Sequence, residues 1–251
     1  VNYYSALSLT LFSVPLPISP EPIDWIFVKQ DDESIRSLRQ AAATFRELAN
    51  LPDKSHIRRQ RLNTWLLACL ANDRKKQDEA EEVCVHLLER DPTYPGAIMW
   101  ALARDYQVDL KASESALKEL VARRVASLSH LLALVDCQLV NGQAEEPAKL
   151  LEETQSVFRD QQAIGVWLTA YAHVQVSKGT PEEALEALTG YEEDFSVVQA
   201  WILVLEANAR ESGDWQPLYD YLDRAYKVTG NPKYLLSSCE FRAQQGDWKF
   251  V

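Results

Sequence analysis

The chain has 251 residues, a formal net charge of −11 and 47% hydrophobic residues, so it has ample material for burial. The acid excess argues against a broad nucleic-acid footprint, which needs clustered cations, and against a general basic surface for anionic lipid. The four cysteines, Cys69, Cys84, Cys137 and Cys239, are scattered without CxxC or zinc spacing and read as small buried residues of a reducing compartment. Residues Val1 to Pro22 combine apolar side chains with Pro15, Pro17, Pro20 and Pro22, which predicts an extended arm. Such an arm either packs on its own fold or is offered to a partner or membrane surface. Its best apolar run, Ala6 to Leu16, falls well short of the roughly 20 residues a membrane-spanning helix needs. The sequence begins at Val1, which leaves open a removed signal peptide or anchor. The apolar patch Ile23 to Val28 around Trp25 fits strand or helix equally.

Glu33 to Asn50 carries Ile35, Leu38, Ala42, Phe45 and Leu48 on one stripe and reads as a helix, with Asp31 or Asp32 available as its cap. His56, Arg58, Arg59 and Arg61 form the one compact basic cluster, read as a solvated helix face or a dock for an acidic partner. Arg61 to Pro92 reads as two amphipathic helices. Leu62, Trp65, Leu66, Cys69 and Leu70 recur at three- and four-residue steps. Asn72 to Gln77 is a polar break, and Ala80, Val83, Cys84, Leu87 and Leu88 make a second stripe that Asp91-Pro92 ends. The next pair starts near Ile98 and places its second-helix small residue at Ser115 or Ala116. Val125 to Val140 with Glu145 to Phe158, Ala163 to Ser177 with Pro181 to Tyr191, and Val197 to Ser212 with Trp215 to Val228 follow as pairs. Pro147 lies in a first turn, and Thr180-Pro181-Glu182-Glu183 is a start signal. Lys233 to Gln245 opens a last pair that is cut off.

The pairs recur in register. The small or apolar residue early in each second helix falls at Ala80, Ala148, Ala184, Leu218 and Val251, at steps of 68, 36, 34 and 33, the first being twice 34. Gly213-Asp214-Trp215 returns as Gly246-Asp247-Trp248, and Asn141-Gly142 and Lys178-Gly179 occupy the equivalent turn. Thr64-x2-Leu67-Ala68-x2-Ala71, Ala80-x3-Cys84 and Pro92 keep the spacing, small residues and proline of W-x2-L-G-x2-Y, A-x3-F and P, without the large aromatics. From about Arg61 to its end the chain therefore resembles tetratricopeptide-repeat proteins. The resemblance implies an all-α solenoid of antiparallel helix pairs, a right-handed superhelix of about five to six repeats with a protein-binding concave face. The expected organisation is an arm over 1–30, a capping helix or partial repeat over 31–60, and repeats over 61–251.

The same resemblance implies that first helices line the groove. The residues so placed are Leu62, Trp65, Cys69 and Asn72; Met99, Ala103 and Tyr106; His130, Ala133, Cys137 and Asn141. Further along they are Val166, Thr169, His173 and Ser177; Leu203, Ala207 and Arg210; then Lys233, Leu236 and Glu240. This mixed, largely uncharged lining suits a hydrophobic helix or extended peptide. Tetratricopeptide domains that hold the carboxylate tails of Hsp70 and Hsp90 use Lys, Asn and Arg on consecutive first helices. The matching places here hold Trp65 and Cys69, Trp100, then His130 and Leu134, so no such clamp is expected. At the C-terminal end Tyr234, Leu235, Phe241, Trp248 and Phe250 are expected to lack a covering helix, giving an apolar interface for further chain or for self-association.

His130 and His173 have no ligand partner at i±3 or i±4, and no nucleophile elbow or phosphate loop is present. The sequence therefore predicts a non-enzymatic scaffold, adaptor or complex subunit that docks a partner polypeptide, with no cofactor, metal or nucleic acid, inside the cell and in the cytoplasm. An RNA-processing helical-repeat protein would need a basic, stacking-competent face. An α-helical enzyme would need a convergent polar pocket.

Overall fold

The computed structural model describes residues 32–51, 56–194 and 197–246. Among them there are twelve helices and no strand: α1 Asp32–Ala49, α2 His56–Ala71, α3 Gln77–Arg90, α4 Pro95–Arg104, α5 Leu110–Ala122, α6 Leu128–Val140, α7 Glu145–Asp160, α8 Ile164–Lys178, α9 Pro181–Leu188, α10 Val198–Ser212, α11 Gln216–Thr229 and α12 Pro232–Gln244. The N-terminal arm, the patch around Trp25, and Trp248, Phe250 and Val251 lie outside the described residues. The chain divides into two compact units, Val1–Gly142 and Gln143–Val251.

In the first unit most helices pack on a sequence neighbour, and alternate helices meet as well. The contacts are α1 with α2, α2 with α3, α3 with α4 and α5 with α6, joined by α2 with α4 and α4 with α6. Phe45, Leu67, Ile98, Trp100 and Leu117 are fully buried between them. The second unit repeats the scheme. There α8 packs on α7, α9 and α10, α9 on α10, α10 on α11, and α11 on α12, around Leu151, Phe158, Leu188, Leu218 and Leu222. Each such side chain contributes about 1.5–3 kcal/mol relative to exposure.

Four of the positions expected early in second helices are buried: Ala80 on α3, Ala148 on α7, Ala184 on α9 and Leu218 on α11. In the irregular pair the expectation is corrected. Ser113 fills the place, while Ser115 is exposed and Ala116 half-buried. The reason is local. Asp105, left-handed at φ 53°, ends α4 early. The Asp109 carboxylate then accepts the backbone N–H groups of Lys111 at 3.1 Å and Ala112 at 3.2 Å, which fixes the start of α5 at Leu110. With Ser113 restored, the steps from Ala80 become 33, 35, 36 and 34.

Helix ends follow backbone chemistry closely. Pro95, Pro181 and Pro232 each open a helix, where the missing N–H costs nothing. Gly179 and Gly213 close α8 and α10 in the left-handed conformation, at φ 79° and 78°. Thr180 differs from its expected role. α9 starts beside it, but its hydroxyl donates to Gln175 Oε1 at 2.9 Å rather than capping the helix. Gln175 is buried and offers the nearer acceptor.

Candidate functional site

In the first unit the side-by-side helices α2, α4 and α6 present Trp65, Met99 and His130 as half-buried side chains. Trp65 stacks against Phe45 of α1, with ring centroids 6.3 Å apart and an interplanar angle of 18°. That contact fixes the indole while leaving part of it at the surface. Cys69, Cys137 and Tyr106 are buried, and their expected place on a binding face is corrected to interior packing. Burial pushes the Cys69 and Cys137 thiols up to about 12. The Tyr106 hydroxyl, also pushed up by burial, donates to Gln77 Oε1 at 3.4 Å.

His130 has a structural task that spacing to a metal partner did not reveal. Ser127 caps α6: its hydroxyl accepts the His130 backbone N–H at 3.4 Å, and His130 Nδ1 accepts the Ser127 backbone N–H at 3.1 Å. This is a capping box with imidazole in place of the usual Glu or Gln. The bond from the Ser127 backbone N–H needs an unprotonated Nδ1. Desolvation holds the His130 pKa below its ordinary value, only partly offset by Asp91. The signal was legible as Ser followed three residues later by a residue with an acceptor.

In the second unit α8 and α10 lie side by side with His173 and Leu203 half-buried and Arg210 exposed. Thr169 is buried, and its hydroxyl donates to the Gly165 carbonyl at 2.9 Å, so it too is corrected from surface to interior. Arg210 is paired with Glu206 one turn earlier, at 2.6 and 3.2 Å. At α12 the expected bare cluster is only partly bare. Tyr234 is buried against α11, and Phe241 is half-buried beside Trp215 at 6.0 Å. Leu235 and Leu236 on α12, and Tyr226 and Val228 on α11, are the large apolar side chains left exposed there. Arg242, 4.0 Å over the Tyr219 ring, ties α12 to α11 in a contact that sequence spacing gave no sign of.

Among the described residues no group of His, Cys, Asp and Glu is arranged to hold a metal ion, and no helix is long and apolar enough to cross a membrane. A second charged cluster lies on α1, the end of α2 and the start of α3. There Asp73, nearly buried, accepts Arg39 Nε at 2.6 Å and Nη2 at 3.3 Å, while Glu79 accepts both Arg46 and Lys76. In comparison with known proteins, the chain matches no family model, no curated protein and no solved structure.

Proposed function

We propose that the chain is a non-enzymatic helical-repeat scaffold of the tetratricopeptide type, which docks a partner polypeptide along the faces of its first helices. The observation that carries this reading is the buried small or apolar residue early in every second helix. Ala80, Ser113, Ala148, Ala184 and Leu218 hold that place at steps of 33, 35, 36 and 34. A period near 34 is the length of one such helix pair. The contacts of α2 with α4, α4 with α6, and α8 with α10 support it, since stacked pairs bring successive first helices together. Trp65 and Met99 in one unit and Leu203 in the other give those faces partly exposed apolar anchors, the chemistry of a groove for an amphipathic helix or extended peptide. No cation stands at the places that would form a carboxylate-tail clamp, and Trp100 at one of them is buried. The three buried free thiols agree with a working place in the reducing cytoplasm.

The test is to purify the tagged chain with its partners from the source organism and map cross-links onto it. Contacts should fall on the first helices, and Trp65→Asp with Met99→Asp should lower partner recovery about tenfold or more while helicity is kept. A chain that purifies alone, or cross-links confined to second helices, would sink the reading. Nuclease-sensitive co-purification of RNA would transfer it to the RNA-processing rival.

A further inference from the structure

We propose that the cleft bounded by α1, the end of α2 and the start of α3 is an acceptor site for an acidic side chain, an Asp or Glu with an apolar neighbour on a partner polypeptide. This deepens the scaffold reading and rests on it for the source of the ligand. The cleft encloses about 210 Å³. That equals roughly seven waters and is smaller than the ~300–1,000 Å³ of cofactor and drug pockets. It therefore fits one or two side chains rather than a nucleotide. Leu38 and Ala42 of α1 with Cys69 and Leu70 of α2, all buried, form an apolar floor.

The rim carries three cations and two carboxylates. Asp73 is spent. Its side chain is 5% exposed and is gripped by both Arg39 nitrogens, with the Lys75 backbone N–H adding a third bond at 3.1 Å. Burial pushes the Asp73 carboxyl up, but Arg39 and that N–H outweigh it and hold the group below its ordinary range. Glu79 is shared between Arg46 and Lys76. Two cations on one carboxylate leave an excess positive charge, in a chain whose net charge is −11. Arg46 spends one Nη2–H on Glu79 and Lys76 one Nζ–H, so both heads keep donors, and their side chains remain 46% and 45% exposed. The first turn of α3 already carries Asp78 and Glu79 against its dipole, so the attraction for an anion rests on the Arg46 and Lys76 heads. A carboxylate entering over the apolar floor meets Arg46 and Lys76 together, and its apolar neighbour lies at the mouth of the cleft.

The 251-residue chain can be titrated with N-acetyl-Leu-Glu-Ala-amide and its Gln counterpart while the Arg39 and Arg46 Nε–H signals and the Lys76 backbone amide are followed by NMR. The Glu peptide should saturate with a Kd on the order of millimolar, and the Gln peptide should bind about tenfold more weakly or worse. Arg46→Gln and Lys76→Gln should each weaken the Glu peptide severalfold with helicity unchanged, and added salt should weaken it further. Equal shifts from both peptides, shifts that map elsewhere, or unchanged binding in both variants would overturn the proposal. Inorganic phosphate binding as tightly as the Glu peptide would also overturn it, since the site would then select any anion. A synthetic probe needs no natural partner, so this result is separate from failure of the scaffold reading.

Discussion

Ala184 offers the sharpest test of the helix register. It is 1% exposed on α9, a helix of eight residues held between α8 and α10. A larger side chain at this position has to displace one of those neighbours. Ala184→Leu adds volume without charge and should cost about 1–3 kcal/mol through overpacking. Ala184→Arg adds a charge as well. Arginine can carry its head to water along its stem, but only where a path opens, and a side chain packed on both sides has none short of separating the helices. The expected loss is then about 4 kcal/mol or more, the range reserved for buried unpaired charge. Glu186→Arg, on the same helix but exposed, is the control and should stay within about 0.5 kcal/mol. Urea unfolding followed by circular dichroism measures all three. If Ala184→Arg unfolds at the same midpoint as Glu186→Arg, the second helices do not bury this position and the repeat register fails.

His130 should make stability pH-dependent. Its folded-state pKa lies below the ordinary value near 6.5, so the unfolded chain binds the proton more readily. The contribution is therefore complete above about pH 6.5 and declines as pH falls through that value towards the lower folded one. Urea midpoints at pH 7.5 and 5.5 should differ more in the wild type than in His130→Gln, which keeps an acceptor and cannot titrate. Equal differences would remove His130 from the cap. The cysteines should separate by burial: Cys239, half-buried, should react with a thiol reagent ahead of Cys69, Cys84 and Cys137, whose thiols burial pushes up to about 12. All four reacting at one rate without denaturant would contradict the packing.

The helices were legible because two signals agreed. Apolar period placed α1, α3, α7 and α11 within a residue or two, and proline or glycine fixed where α8, α9, α10 and α12 begin or end. The irregular pair was not legible in the same way. Its register depends on a left-handed Asp105 and on the Asp109 cap, both short-range choices that hydrophobic spacing does not encode. The surface was less legible still. Cys69, Tyr106, Cys137 and Thr169 were assigned outward from the family pattern, yet small or half-apolar side chains at a helix–helix seam are drawn inward by packing. Long-range ion pairs such as Arg39 with Asp73 cross 34 residues of chain and leave no local pattern.

The first described helix is where these levels meet. Ala41 and Phe45 are both 0% exposed, and Ala41-x3-Phe45 repeats the spacing of Ala80-x3-Cys84, which is equally buried. α1 also packs on α2 as α3 packs on α4 and α9 on α10. On the scaffold reading α1 is the partial repeat expected over 31–60, standing in a second-helix place. This decides the setting of the charged cleft. Arg39 and Arg46 belong to one second helix and Glu79 to the next, with the end of the intervening first helix as floor. Binding there would use the edge made by successive second helices, leaving Trp65 and Met99 on the first helices for a separate stretch of the same partner. Two contacts on one linked polypeptide reinforce each other through effective concentration, so a millimolar acidic contact at this edge would still matter to the affinity of the whole.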